Sequence, residues 1–425
     1  MKSLAERDAQ LLWHPYTQHQ TADPAIGITH GKGSYLFDEN GKRYIDAISS
    51  WWTCPFGHRN KKVTKAISKQ LQTLEHVLFG GFTHQPAVEL AEVLTEILPD
   101  NQRKFFFSDN GSTAVEIALK AALQFYFNKV EIRPTIIAFE DAYHGDTFGA
   151  MGASSISIFS EAFQSMLIDV VRIPVPVKGQ EEASEKALKE IIANKKAAAF
   201  IFEPLVQGAA GMVMYEPEIL TRLIAICKNA GVFTIADEVM TGFCKTGTLF
   251  ASSQLGVAPD MICLSKALTS GTIPLAVTSF TDEIYNGFLS PDKSKALFHG
   301  HTFTANPTGC AAALASIKQL RKKSTFKKVQ KINGLHLAFA ESLQHSKKVR
   351  NVRVKGVIIA IELAVPPQDY YSDLRNRLYR FFIENGVLLR PVGGTIYILP
   401  PFNIKQKDLE YVYLMVERAL DKFVD

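Results

Sequence analysis

Six short and nearly unbroken apolar runs set the layout of this chain: Lys104–Phe107, Thr135–Phe139, Ala197–Phe202, Val232–Ala236, Met261–Leu264 and Pro274–Phe280. Strands with one wet face alternate polar and apolar residues, whereas strands covered on both faces do not. Longer helical patterns separate the runs, among them Ser112–Phe127 and Pro217–Ala230, the latter followed by Gly231 where a helix stop is expected. Strand and helix in alternation predict an α/β layered domain around a mainly parallel central sheet.

The C-terminal part reads differently. A helix is expected from Pro307 through the CAAALAS segment to about Arg321, then a second over Lys328–Gln344. Val352–Leu363 follows as strand, Tyr371–Asn385 as helix, Thr395–Leu399 as strand, and a last helix after Lys407. These elements predict a smaller α+β domain. The opening residues are rich in turns and aromatics and predict an arm with a short hairpin, Ser34–Phe37 and Arg43–Ala47, around Glu39-Asn40-Gly41. The expected divisions are an arm over 1–60 contributing to the small domain and the active site, a large domain over 61–320 and a small domain over 321–425.

Composition excludes several classes of function. Apolar residues make up 47% and charged residues 21%, as in ordinary globular proteins. A net charge of +5, spread over 425 residues without a long run of one sign, gives no support to nucleic-acid or membrane-surface binding. The longest apolar runs fall far short of the roughly 18 residues of a membrane span. The start, MKSLAERDAQ, lacks the apolar core of a signal peptide. Five cysteines without CxxC spacing suit reduced thiols in a cytoplasmic enzyme. Phosphate-loop, dinucleotide, HExxH and GxSxG motifs are absent. His299 and His301 flank Gly300 without an evident third ligand, so no metal is expected.

Two strand ends carry the chemistry. The Val232–Ala236 run ends in Asp237, and Met261–Leu264 leads to Ser265-Lys266. Ligands of parallel α/β sheets sit at the carboxyl ends of strands. A lysine beside a desolvated strand can lose its proton and attack a carbonyl. An aspartate there can pair with a protonated ring nitrogen, the arrangement that pyridoxal phosphate (PLP) needs to act as an electron sink. The two segments alone fit a structural ion pair equally well. Ser108-Asp109-Asn110-Gly111-Ser112-Thr113, at the start of a helix, suits a phosphate or an ordinary N-cap. Tyr143, just past Thr135–Phe139, suits stacking on a flat cofactor or plain packing.

Six segments in order, NGSTAVEIALKAA, YHGDTFGAMGAS, EPLVQGAAGM, IADEVMTGFCKTG, LSKALTSGTIPLA and HGHTFTANPTGCAAA, resemble the class III PLP-dependent aminotransferases of fold type I. The resemblance runs essentially the whole length. Its most specific mark is the aspartate motif followed 29 residues later by the lysine motif. WHPYTQ (Trp13–Gln18), SSWW (Ser49–Trp52), HVLFGGFTHQPAVELA (His76–Ala91) and LLRPVGGTIYILPP (Leu388–Pro401) further resemble the branch that works in biotin biosynthesis.

The resemblance implies roles position by position. Lys266 would hold PLP as an imine and carry the proton between Cα and C4′. Asp237 would pair with the pyridine nitrogen, Tyr143 stack on the ring and Val239 pack its other face. Gly111 and Ser112 would cradle the phosphate, completed across a dimer interface by Gly300 and Thr302. Glu203 would help to hold the region around the aspartate. Tyr16, Trp51 and Trp52 would line a pocket for a long aliphatic chain, bordered also by Tyr143, Lys266 and Gly300, and Arg390 would grip its far carboxylate. The implied reaction is a ping-pong transfer from S-adenosylmethionine to 7-keto-8-aminopelargonate, giving 7,8-diaminopelargonate, in a cytoplasmic homodimer with shared sites. Lys245 stands where well-known members carry arginine, and His301 where the biotin branch carries proline. Lys245 leaves the donor open between S-adenosylmethionine and lysine. The rival readings are a class III aminotransferase for an ω-amine or semialdehyde, and a catalytically silent, aminotransferase-like binding protein.

Overall fold

The computed structural model of the chain describes residues 2–155, 160–366 and 373–424. The apolar runs assemble into a seven-stranded sheet in the order Lys104–Ser108, Ala276–Phe280, Met261–Leu264, Phe233–Asp237, Ala197–Phe202, Thr135–Phe139, Val170–Ile173. All neighbours pair in parallel except Ala276–Phe280, which is antiparallel to both strands beside it. The sheet is thus mainly parallel, with one strand reversed. Its central strands are buried along their whole length. That explains their unbroken apolar sequence: neither face meets water.

Val170–Ile173, the edge strand beside Thr135–Phe139, was not among the six runs. Arg172 interrupts its apolar pattern, and the guanidinium donates to the carbonyls of Gly152 and Ser154. The helix Gly111–Asn128 crosses the sheet on a small-residue face that buries Ala114, Ala118, Ala121 and Ala122. Small side chains let its backbone come close enough for Thr278 to donate to the Ala114 carbonyl at 2.8 Å.

The expected single strand over Val352–Leu363 is a hairpin. Val349–Lys355 and Ile358–Leu363 pair antiparallel, and Thr395–Ile398 adds the third strand. The turn falls at Gly356, with φ +59, where a Cβ would come within 2.4 Å of the Gly247 nitrogen and the Lys245 carbonyl oxygen. The preceding helix begins at Lys323, earlier than expected, and ends at Leu343. The helix expected over Tyr371–Asn385 spans Asp373–Glu384, with Tyr371 and Ser372 outside the described residues.

The N-terminal hairpin forms at Tyr35–Asp38 and Arg43–Asp46, and a further strand, Ile28–Lys32, pairs with it. Val387–Leu388 joins the other edge in parallel, Leu388 opposite Asp46. The opening segment is thereby fixed in register to the stretch that carries Arg390. Among the described residues no helix is long and apolar enough to cross a membrane, and no group of side chains is arranged to hold a metal ion.

Candidate active site

Phe233–Asp237 and Met261–Leu264 lie side by side, so the chain leaves both strands at one edge of the sheet. Asp237 closes the first strand. Lys266 opens a short 3-10 turn two residues past the second, at φ +47. Burial pushes the Lys266 ammonium below the usual lysine range, while Asp237 and Glu203 pull the other way. Its Nζ lies 4.5 Å from the Trp52 ring centroid. An amine in this setting can reach the neutral, nucleophilic form.

Asp237 accepts from the Val239 N–H at 3.1 Å through one oxygen and from His144 Nδ1 at 2.8 Å through the other. A carboxylate only accepts, so Nδ1 carries the proton. The Nε2 of His144 is buried without a hydrogen-bond partner. Glu203, buried near this pair and lining the same cavity, accepts from the Tyr143 and Gly208 N–H groups at 3.2 and 2.9 Å. Burial raises its pKa to about 7; the nearby His144 lowers it and Asp237 raises it.

These groups surround a cavity of about 410 Å³ lined by Gly111, Ser112, Tyr143, Asp237, Val239, Lys266 and Trp52, among others. Gly111 and Ser112 begin the Gly111–Asn128 helix. The Asn110 side chain caps the Thr113 N–H, and the first turn of a helix leaves further N–H groups without intrahelical partners. A Cβ on Gly111 would lie 2.6 Å from Val239 Cγ1, so only glycine keeps this corner open. An amine, a carboxylate beyond it, an aromatic wall and a helix N-terminus suit a flat pyridine aldehyde that carries a phosphate. A larger cavity, about 550 Å³, adjoins across Tyr143 and Gly145.

The residues expected to meet substrate form a second group. The Arg390 guanidinium sits over the Trp51 ring at 4.8 Å, and the Tyr16 ring is 6.1 Å from it. Trp51 is half-exposed, whereas Trp52 is buried and donates its indole N–H to Tyr397 Oη at 3.2 Å. Tyr16 reaches Tyr143 Oη at 3.2 Å and donates to Asp146, which also accepts from Tyr143 at 3.0 Å. Burial and these contacts push the Tyr143 phenol far above the usual tyrosine range.

Gly300 and Thr302 are not brought to this cavity within one chain. Both are exposed, and a Cβ on Gly300 would meet nothing within 4 Å. Lys245 lines neither cavity. It is 1% exposed, and its Nζ donates to the Gly242 carbonyl at 3.2 Å. Burial first, then the Lys266 charge, lowers its pKa to about 7. Sequence reasoning passed over His144 and Asp146. Both stand within three residues of Tyr143, and polar side chains so close to a buried strand end were the available signal.

A lysine and an aspartate at adjacent strand ends of a mainly parallel sheet, lining one cavity with a helix N-terminus, mark a PLP-dependent transferase. Residues 16–420 match the family Aminotransferase class-III, and the chain belongs to it. It is 43% identical over 97% of its length, and 98% of the other chain, to an adenosylmethionine-8-amino-7-oxononanoate aminotransferase of Synechococcus elongatus. The protein of the same description in Staphylococcus aureus is 34% identical, with all of this chain and 98% of that one covered. The crystal structure of such an enzyme from Methanocaldococcus jannaschii superposes with a TM-score of 0.93 at 33% identity, covering 99% of both chains. An omega transaminase from Pseudomonas jessenii in complex with PMP gives a TM-score of 0.91 at 28% identity, over 99% of this chain and 98% of that one.

Proposed function

We propose that this aminotransferase moves an amino group from S-adenosylmethionine to 7-keto-8-aminopelargonate and so makes 7,8-diaminopelargonate for biotin biosynthesis. The observation that carries the reading is Arg390 seated over Trp51 beside Tyr16, a cluster joined to the lysine cavity through the contact of Tyr16 with Tyr143. An acceptor with an apolar chain and one terminal carboxylate needs that combination: aromatic walls and a guanidinium clamp. The names of the relatives support the same substrate pair.

Bound PLP would supply an electron sink for the pair left when the substrate Cα–H bond breaks. The residues of the chain supply the rest. Lys266 would hold the cofactor and, once released, move the proton to and from Cα. Asp237 would keep a proton on the ring nitrogen, oriented by His144. Tyr143 and Val239 would hold the two ring faces, and Gly111 and Ser112 the phosphate. The exposure of Gly300 and Thr302 supports a homodimer in which each chain completes the phosphate cradle of its neighbour. All five cysteines are unpaired and buried, which supports work in a reducing compartment such as the cytoplasm.

The test is purified, PLP-loaded enzyme given the oxo acid with S-adenosylmethionine, lysine or a γ-amino acid as donor, the diamine product being measured. Diamine formed fastest with S-adenosylmethionine is the expected result. Turnover of ω-amines without any use of the oxo acid overturns the reading.

A further inference from the structure

The SSWW turn holds three residues with positive φ: Ser49 at 51°, Ser50 at 61° and Trp52 at 65°. With ψ at −82°, Ser50 adopts the strained, rarely populated form of the γ-turn. Side chains other than glycine are strained in such geometry, and it persists only where the surroundings dictate it. Here the surroundings are one carboxylate. Asp46, fully buried, accepts from the Ser50 N–H through both oxygens at 2.8 Å, from the Ile48 N–H at 3.3 Å and from the Ser50 hydroxyl at 3.2 Å. His58 Nε2 lies 2.8 Å from the same carboxylate.

The position of Asp46 links this turn to Arg390. Asp46 ends the Arg43–Asp46 strand and pairs in parallel with Leu388, two residues before Arg390. The Ala47 N–H donates to the Leu388 carbonyl at 3.2 Å, and the Leu399 N–H to the Ala47 carbonyl at 2.9 Å. Ser49 Oγ donates to the Leu399 carbonyl at 2.9 Å. One short stretch of backbone therefore fixes the aromatic wall and the guanidinium at a set separation.

We infer that Asp46 is a positioning residue for the acceptor: it imposes the strained Ser49–Trp52 turn, aims Trp51 at Arg390 and sets Trp52 against Lys266. The inference rests on the reading that Trp51 and Arg390 bind the oxo acid. Asp46 touches neither cofactor nor substrate. Its effect falls on the KM of the acceptor, because misplaced walls weaken binding of the long chain while the amine and carboxylate at the reacting end stay in place.

The experiment compares Asp46→Asn with wild type and with Asp260→Asn. Asp260 is a second buried aspartate, bonded to Thr234 away from this turn. Asp46→Asn is expected to raise the KM for 7-keto-8-aminopelargonate about tenfold with kcat within about threefold. In a Trp13→Phe background, where Trp51 and Trp52 are the remaining tryptophans, apo protein should show red-shifted emission and easier acrylamide quenching. Asp260→Asn should lower Tm and leave KM and emission unchanged. Should Asp46→Asn fail to fold, it is combined with Ser50→Gly, because glycine relieves the strain that the carboxylate holds in check. The double variant should fold and still raise the acceptor KM, since nothing then imposes the turn. Unchanged acceptor KM and tryptophan emission in the folded variants overturn the inference. Wild type that ignores the oxo acid overturns the substrate reading instead, and the emission arm still judges Asp46.

Discussion

His144 donates to Asp237 across 2.8 Å with both side chains buried, and the second ring nitrogen of this histidine has no hydrogen-bond partner. Besides the backbone N–H of Val239, this ring is what holds the carboxylate in its rotamer. A hydrogen bond to a charged group contributes about 1.5–3 kcal/mol. His144→Phe, which keeps a flat ring and removes the donor, should therefore weaken PLP binding by about tenfold or more in an equilibrium titration. It should lower kcat at saturating cofactor, and the KM of the acceptor should change little. Unaltered PLP affinity would show that Asp237 does not depend on His144.

Glu203 gives a pH signature. Burial lifts its pKa from 4.5 to about 7 in the folded protein. Between those values the native state keeps a proton that the unfolded chain has released. The contribution of Glu203 to stability is thus fullest at and below the lower value and is lost as pH rises to about 7. Glu203→Gln removes the titration. The Tm of the variant relative to wild type should climb between pH 4.5 and 7 and level off above, as read by calorimetry in apo protein. A constant difference across that range would contradict the shift.

Lys245 behaves in the opposite sense. Its folded-state pKa is lowered from 10.5 to about 7. Between those values the unfolded chain binds the proton and the native state does not, so stability rises with pH through that window. Lys245→Met, of similar length and without the amine, should stabilise the protein at pH 7 by about 1–2 kcal/mol, in line with other replacements of buried charge by apolar groups. It should also flatten the rise of Tm toward pH 10. Because Lys245 is enclosed with its Nζ on the Gly242 carbonyl, Lys245→Arg should leave the order of amino donors unchanged. A switch of donor in that variant would place the side chain in the binding site after all.

Buried strands were the most legible part of the sequence. Thr135–Phe139, Ala197–Phe202 and Met261–Leu264 have the bounds that their apolar runs mark, because no wet face interrupts them. Val170–Ile173 was hidden by Arg172, an edge residue spent on backbone carbonyls. The hairpin at Gly356 was hidden because VKGV reads as continuous strand when the close approach of Gly247 is unknown. In the site, Asp237 and Lys266 drew notice by their places at strand ends, but the two segments alone fitted a structural ion pair equally well, and the resemblance supplied their roles. Asp46 drew no notice. Its meaning depends on Ser50 and His58 folding back onto it and on register with Leu388, none of which a local pattern encodes.

Gly111 offers the sharpest test of the proposed phosphate corner. A Cβ there would lie 2.6 Å from Val239 Cγ1 and 3.2 Å from Cγ2. Valine is held stiffly at χ1, so it cannot swing aside without backbone movement. The backbone at stake is that of Asp237–Val239, where the Val239 N–H supports the Asp237 carboxylate. Gly111→Ala should thus weaken PLP binding by about tenfold or more, although alanine by itself favours the helix. Val239→Ala opens the same corner, at the cost of one wall of the cavity. If the collision is the cause, the double variant should bind PLP more tightly than Gly111→Ala alone, a coupling that the four-protein cycle measures directly. Additive losses would instead mean that Gly111 matters through its own N–H and not through the space that it leaves for Val239.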